Sequence, residues 1–326
     1  MTSRFHALLS YAPHCSCSQE KLFRLIATAA FLLLLAGCAG PIGDVTTDLN
    51  GHILVVGSTA LQPLATKAAE LFQQQHSHVR VEVRGGGSIG GLEAVTNHQS
   101  NIGDSDIYAD PATYPDPDLT DHLVCIIPFT MIASPGVTIT SLSKQQIIDI
   151  FSTGKIRNWQ QVGGPNLPIV PVVRPPTSGT RATFRKYILN GRDEIGTLLT
   201  SDSSATVLNK VATTRGAIGY LAVSVLNSSV HPIAIDGQNA TLQNIEAGRY
   251  SFWGFEHMYT LGEDNPIVAA FLSFMLTPQV QRVALELKYI PIADIKFPQF
   301  GLSQQEAGIG NSPVPYESEI IYHEYL

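Results

Sequence analysis

Ile169-Val170-Pro171-Val172-Val173-Arg174-Pro175-Pro176-Thr177-Ser178-Gly179-Thr180-Arg181 runs on into Ala182-Thr183-Phe184-Arg185-Lys186-Tyr187-Ile188-Leu189, and its spacing changes part-way. The first five residues are a continuous apolar run, as a buried strand requires. The last eight place apolar side chains at roughly helical intervals. Between them lies a short loop rich in Pro, Ser, Thr and Gly. The stretch therefore predicts strand, tight loop and helix start. At such a junction the first turn of the helix leaves backbone N–H groups unpaired, and the helix dipole favours negative charge. Ser178 and Thr180 add hydroxyl donors, Gly179 lets a ligand approach the backbone, and Arg174 can add a forked cationic donor. The loop suits a tetrahedral oxyanion. Ser-Gly-Thr before a helix is also an ordinary N-cap, and taken alone the loop serves either purpose.

The same plan recurs upstream. His52-Ile53-Leu54-Val55-Val56 is a short apolar strand that enters Gly57-Ser58-Thr59-Ala60, and Ala65 to Gln74 then has helical periodicity. Ser58 and Thr59 occupy the turn, where they are either caps or anion donors. Val79-Arg80-Val81-Glu82-Val83 alternates as a strand does and is followed by Gly85-Gly86-Gly87-Ser88-Ile89-Gly90-Gly91 and the helix start Leu92-Glu93-Ala94-Val95. The glycines fit a dinucleotide-binding Gly-x-Gly-x-x-Gly, but a strand–loop–helix already precedes them, which a first Rossmann turn does not have. No Gly-Lys-Ser/Thr follows, so the loop is not a P-loop. A third anion-facing loop, with Ser88 as donor, explains the same residues. Asn101-Ile102-Gly103-Asp104-Ser105-Asp106 then brings two acids into the series. Asp residues are common turn formers. An ionised Asp106 can also accept a hydrogen bond from a protonated phosphate oxygen, whereas sulfate would set unpaired negative charge against it.

Composition bounds the rest. At 326 residues the chain is long enough for two domains of roughly 150 residues each. Its formal net charge is −7 and no Lys/Arg block stands out, which argues against a nucleic-acid partner. Any bound anion must be held by local donors. Lys21 and Arg24 precede an apolar run from Leu25 to Leu35, short for a bilayer span but suited to the h-region of a signal peptide. The run ends in Leu35-Ala36-Gly37-Cys38, which resembles the lipobox of bacterial lipoproteins and makes Cys38 the expected lipidation site. Residues 1–37 are then a lipoprotein signal peptide and residues 38–50 a tether. With the signal removed only Cys38 and Cys125 remain, so no disulfide and no cysteine metal site is expected. Cys125 lies in an apolar run and is expected to be a buried, inert thiol.

His122 to Ala133 is a long apolar strand region, expected to carry the chain between domains, and His231 to Ile235 is a second expected crossing. Leu142 to Phe151, Thr206 to Ala212, Ile267 to Leu276 and Pro278 to Leu287 have helical spacing, and Gly216-Ala217-Ile218-Gly219-Tyr220 is a turn into a buried strand. His76, His78 and His257 fall in no motif and show no metal-ligand spacing, so neither a metal, a cofactor nor a catalytic histidine is expected.

Six motifs carry a family resemblance: Gly57-Ser58-Thr59-Ala60-Leu61-Gln62-Pro63, Gly85-Gly86-Gly87-Ser88, Gly103-Asp104-Ser105-Asp106, Ile150 to Trp159, Arg174 with Ser178-Gly179-Thr180-Arg181, and Gly216 to Tyr220. In this order they resemble the phosphate-binding lipoprotein of phosphate-specific ABC transporters, the PstS-like branch of the periplasmic binding proteins. The resemblance implies an α/β, two-domain periplasmic-binding-protein-like fold of type II, with the ligand cleft between domains. Domain I is expected over 51–130 and 235–326, and domain II over 131–234. It further implies a phosphate site of Ser58, Thr59, Ala60 through its backbone N–H, Ser88, Asp106, Arg174, Ser178, Gly179 and Thr180. Asp106 would read the ligand proton and Arg174 would be the main charge partner. The expected partners are inorganic phosphate and membrane permease subunits, and the expected unit is a monomer, extracytoplasmic and lipid-anchored to a bacterial cell membrane. Two positions depart from the pattern: Pro176 stands where some relatives have an acid able to tether the Arg, and Ile107 follows Asp106 where the family often has Arg. Receptors for sulfate or molybdate, a phosphate sensor or scavenger, and a phosphate-ester hydrolase remain as alternatives.

Overall fold

The computed structural model describes residues 49–199, 203–262 and 265–292. The signal peptide, Cys38, nearly all of the tether and the chain beyond 292 lie outside the described residues.

The first strand, β1 (Gly51–Gly57), pairs in parallel with β2 (Val79–Gly85) and β3 (Ile102–Ser105). Helix α1 (Gln62–Gln75) joins β1 to β2, and α2 (Gly87–Thr96) joins β2 to β3. Pro63 in the first turn of α1 fits a position where a backbone N–H would go unused. Leu64, Ala65, Ala68, Ala69 and Phe72 form its buried stripe. Helix α2 is rich in glycine because it lies almost on the strands. A Cβ at Gly91 would stand 2.5 Å from the Asp104 carbonyl oxygen, 2.7 Å from that of Val56 and 2.8 Å from the Gly57 Cα. Gly91 therefore serves helix–sheet packing, whereas Gly90, the third glycine of the dinucleotide-like pattern, faces open space.

The long strand β4 (Leu119–Ala133) is the axis of the molecule. Leu119–Pro128 pairs antiparallel with β10 (Trp253–Leu261), and Phe129–Ala133 pairs with β8 (Ala217–Ala222). The exchange of partners falls at Pro128, a residue with no N–H to give a ladder. Its ten residues from Val124 to Ala133 are all buried and, but for Thr130, apolar, as expected of a strand covered on both faces. The whole sheet runs β2-β1-β3-β10-β4-β8-β6-β7, where β6 is Val170–Val173 and β7 is Thr197–Leu198. Thus β4 joins a half built on β1–β3 and β10 to a half built on β6–β8. Strand β9 (His231–Ile235) pairs with β5 (Ser141–Leu142) and with Met131–Ala133 of β4, on the edge opposite β8. It is β10 that lies along β3 and along the first part of β4.

The helices of the second half are capped by their sequence. Ser143 and Gln146 form a reciprocal capping box at the start of α3 (Lys144–Phe151). Ser178 caps α4 (Gly179–Tyr187) by accepting from the Arg181 N–H, and Ser203 caps α5 (Ser204–Thr213). A five-residue helix, α6 (Leu242–Glu246), precedes β10. Helices α7 (Pro266–Met275) and α8 (Pro278–Glu286) close the described chain. Phe271 and Phe274 of α7 meet Phe72 of α1 at centroid distances of 5.4 and 5.3 Å. The second half has its own aromatic centre: Phe184 stacks on Tyr220 at 4.1 Å and meets Phe151 edge-on at 5.2 Å. Among the described residues no single helix is long and apolar enough to cross a membrane.

The close seating of α2 makes a sharp demand. Gly91→Val forces side-chain atoms into the backbone of β1 and β3, an overpacking expected to cost about 1–3 kcal/mol or more. Chemical denaturation is expected to show the midpoint falling, while Gly90→Ala, which meets nothing within 4 Å, leaves it within about 1 kcal/mol.

Candidate functional site

Parallel strands of an open α/β sheet place their carboxyl ends on one side, and ligands bind in the crevice there. Strand β1 delivers Ser58 to Leu61, β2 delivers Gly86 to Ser88, and β3 delivers Asp106. From the other half β6 delivers Arg174 to Ser178. The polar residues of these four loops are buried: Ser58, Thr59, Ser88, Asp106, Arg174, Ser178 and Thr180 are all under 9% exposed. Buried polar groups must find partners, and here several find them across the cleft.

Arg174 is 1% exposed. Its Nε donates to Ser178 Oγ at 2.7 Å and its Nη2 to Thr59 Oγ1, in the opposite half, at 3.2 Å. Thr59 Oγ1 also lies 3.2 Å from Ser204 Oγ and accepts from the Ser204 N–H at 3.2 Å. Thr180 Oγ1 donates to Asp106 Oδ2 at 2.7 Å, a second link between halves. The Ile89 N–H donates to the Thr177 carbonyl at 3.1 Å. Gly179 touches the facing loop so closely that a Cβ there would overlap Ser88 Oγ and stand 3.0 Å from the Asp106 Cβ. The loops are thus in direct contact, and α4 starts against Ser88 and Asp106.

Within the first half each residue has a local task as well. Ser58 Oγ accepts from the Ala60 and Leu61 N–H groups at 3.1 and 3.0 Å, closing the turn that leads into α1. The Ala60 N–H, expected to face a ligand, is committed to Ser58 in this arrangement. Ser88 Oγ accepts the Asp106 N–H at 2.9 Å and fixes the turn that aims the carboxylate. The structure therefore gathers all nine sequence-predicted residues, Ser58 to Thr180, into one contiguous group.

Pro176 removes a tether for Arg174, and the structure shows what replaces it. Ser178 holds the Nε, while Arg181 holds the backbone, donating from Nη1 to the Arg174 carbonyl at 2.8 Å. Arg181 is itself set by Glu194, whose Oε2 lies 2.6 Å from its Nε and whose Oε1 accepts from the Tyr220 hydroxyl at 2.8 Å. Burial pushes the Glu194 carboxyl up despite Arg181 and Tyr220, which both pull it down. A fully covered carboxylate loses more hydration than one partly exposed guanidinium returns.

Three residues escaped the reading of the loops. Ser204 sits at the start of α5 and reaches Thr59; its signal was the Ser203-Ser204 pair before a helical run. Asp104 and Glu256 lie beneath the loops and are 1% and 0% exposed. Burial, then the Asp106 charge, drives Asp104 well above the usual carboxylate range. Glu256 rises for the same first reason, then through Asp106 and Asp104. Glu256 belongs to β10, far along the chain, and only the fold reveals its neighbours. Cys125 is buried and free, with its thiol pushed up chiefly by burial, as an inert core cysteine should be. His257 packs between Tyr108 and Tyr259 and its Nδ1 lies 2.9 Å from Asp121 Oδ1, a structural pairing away from the four loops. Among the described residues no group of three or more His, Cys, Asp or Glu is placed to hold a metal ion.

Comparison with known proteins places this geometry. The PBP superfamily domain matches residues 44–279. The phosphate-binding protein PstS of Bacillus subtilis is 36% identical over 290 residues, covering 85% of this chain and 96% of that one. Among solved structures, a Clostridium perfringens protein assigned as a phosphate ABC transporter substrate-binding protein, solved with bound phosphate, is 26% identical. It covers 74% of this chain and 100% of that one, with a TM-score of 0.67. An ABC-type phosphate transport receptor from Vibrio cholerae, 22% identical over 73% of this chain and 99% of that one, shares the fold with a TM-score of 0.59. With its four loops meeting across a two-part sheet, the chain belongs to the PBP superfamily and, within it, to the PstS family of phosphate-binding proteins.

Proposed function

We propose that the chain is an extracytoplasmic receptor that binds inorganic phosphate in the cleft and delivers it to the permease of an ABC transporter. The observation that carries this reading is the meeting of Arg174 with Thr59, and of Thr180 with Asp106, across the cleft. One guanidinium, one carboxylate and a set of hydroxyls are thereby concentrated at a single buried place. Desolvating an oxyanion is costly unless each oxygen meets a donor. Arg174, Thr59, Ser58, Ser88, Ser178 and Thr180, with the N–H groups of Ala60, Gly179 and Thr180, are the donors we assign. In the closed arrangement several of these groups bond to one another. The ligand would take over those bonds, so that binding and the meeting of the halves stabilise each other.

The acid decides which oxyanion is accepted. At neutral pH phosphate retains a proton and can donate to Asp106, which offers an acceptor. Sulfate has none and would meet the carboxylate charge to charge in a dry site. The family is one of binding proteins, so we assign transport and not hydrolysis. We further propose a lipoprotein signal over 1–37 with Cys38 lipidated, a tether over 38–50, domain I over 51–130 and 235–326, domain II over 131–234, and a monomeric unit anchored at the membrane. The exchange of strand partners at Pro128 and Phe129 of β4 supports that division.

The test is calorimetric titration of the protein, first unfolded and refolded to remove carried ligand, with phosphate and then sulfate at neutral pH. Phosphate binding without sulfate heat is expected; binding of sulfate with equal affinity would overturn the role of Asp106, and binding of neither would overturn the receptor reading. Arg174→Ala is expected to lose roughly 2–5 kcal/mol of binding free energy with the fold intact by circular dichroism. Asp106→Asn is expected to admit sulfate, and unchanged selectivity would remove its assigned part. Gly179→Ala is expected to fold normally but to hold the halves apart, seen as weaker phosphate binding and a larger radius of gyration in solution scattering.

A further inference from the structure

Glu256 is fully buried on β10, opposite Cys125 of β4. Neither of its carboxyl oxygens has a hydrogen-bond partner at bonding geometry. Asp104 Oδ1 is in the same condition. The groups facing Glu256 come from every element around it: Ser58 from the loop after β1, Asp104 and Asp106 at the end of β3, the Cys125 thiol of β4, and the Tyr289 hydroxyl from the segment after α8. All are carboxyls, hydroxyls or, at Cys125, a thiol.

Three carboxyls in one buried patch do not all ionise readily, because each charge raises the cost of the next. The charge settles where donors are. Asp106 receives the Thr180 hydroxyl at 2.7 Å and its backbone is fixed by Ser88 at 2.9 Å. Asp104 and Glu256 have no such support. An ionised Glu256 would be a bare buried charge, whereas a protonated one becomes a donor with an acceptor beside it.

We propose that Glu256 is a positioning residue for ligand selection: it stands as a neutral carboxylic acid whose proton bridges to the Asp106 carboxylate, holding that carboxylate ionised and fixed as the acceptor of a ligand hydroxyl. The ligand never touches Glu256. In the ligand-free protein the Ser58 hydroxyl can donate to the remaining oxygen of Glu256 while its own oxygen accepts from the Ala60 and Leu61 N–H groups. The discrimination of a protonated from an unprotonated oxyanion would then depend on a carboxyl pair sharing one proton. Asp104, also neutral, removes a competing charge.

This inference rests on the reading of the cleft as a phosphate site, and its test has one arm that does not. Burial, Asp106 and Asp104 raise the folded-state carboxyl of Glu256 above its unfolded value. The stability this gives is present in full below the ordinary carboxylate range and is lost as pH rises toward the folded value. Melting temperatures of the ligand-free protein are therefore expected to show Glu256→Gln gaining on the wild type as pH rises from acid to neutral. Infrared spectra at neutral pH are expected to show a protonated-carboxyl C=O band that Glu256→Gln removes and Asp106→Asn shifts. A pH-independent stability difference, or no such band, would overturn the proposal whatever the ligand.

The second arm is calorimetry. Glu256→Leu is expected to lose roughly tenfold in phosphate affinity and to admit sulfate, while Glu256→Gln, which keeps a donor toward Asp106, restores most of the loss. Wild-type binding and selectivity in a folded Glu256→Leu variant would leave Glu256 a spectator. Equal loss in both variants would mean that an ionised Glu256 is required. Silence of the wild type toward phosphate would sink the phosphate reading alone, with the spectra still deciding the proton.

Discussion

A buried carboxylate is the most demanding group a cleft can hold, and Asp106 governs the structure around it. It is 5% exposed, with Ser88 on its backbone and the Thr180 hydroxyl on its side chain. Ser88 is at the start of α2 and Thr180 at the start of α4, helices that belong to opposite halves of the sheet. Satisfying one acid thus requires both halves to be in place. The same holds for Arg174, which spends one edge on Ser178 beside it and another on Thr59 across the cleft. Water would otherwise solvate both groups, so the contact between halves is polar and local, unlike the aromatic and aliphatic cores that hold each half together.

This division of labour follows from the sheet. Strand β4 is buried and apolar where it changes partner, and β10 lies along it for nine residues. The halves are therefore tied by the backbone of β4 itself, which pairs with β10 in one half and β8 in the other, while the loops that meet are joined by hydroxyls and one guanidinium. Hydrogen bonds of the second kind exchange readily for bonds to a ligand, because the net gain of each is only about 1 kcal/mol. The ladder and core bonds do not exchange. A rigid frame with replaceable polar contacts at its mouth is what a closing receptor requires.

Much of this was legible in the sequence because strand–loop–helix junctions announce themselves locally. Apolar runs ending in Gly-Ser-Thr, Gly-Gly-Gly-Ser, Gly-Asp-Ser-Asp and Arg with Ser-Gly-Thr placed four of the loops correctly, and Pro63, Ser143 and Ser178 mark helix starts by chemistry that acts within a few residues. What failed to show was everything that depends on distant segments. Glu256 lies in Phe255-Glu256-His257-Met258, with two polar residues side by side, and nothing local says that its side chain is buried near Asp106. The replacement of a missing tether on Arg174 by Ser178 and Arg181, with Glu194 behind, likewise needs the turn of α4 to be built first. The Ala60 N–H is a subtler case, since capping and ligand binding demand the same groups at the same place, and only geometry shows which is in force.

An acidic anion receptor with three carboxyls around its site runs against simple charge matching, and the physical resolution lies in what each kind of charge can discriminate. A cationic site attracts every small oxyanion and separates phosphate from sulfate poorly, because the two are alike in shape and size. An acceptor separates them by the presence of a proton. That criterion works only if the acceptor stays charged and unsolvated, with its competitors neutralised. The burial of Asp104 and Glu256 among acids pushes both carboxyls well above the ordinary carboxylate range, which disfavours a competing charge. The net charge of −7 is then no obstacle to binding an anion, because the ligand is selected through hydrogen bonds whose direction is set and the attraction of a basic surface is not needed.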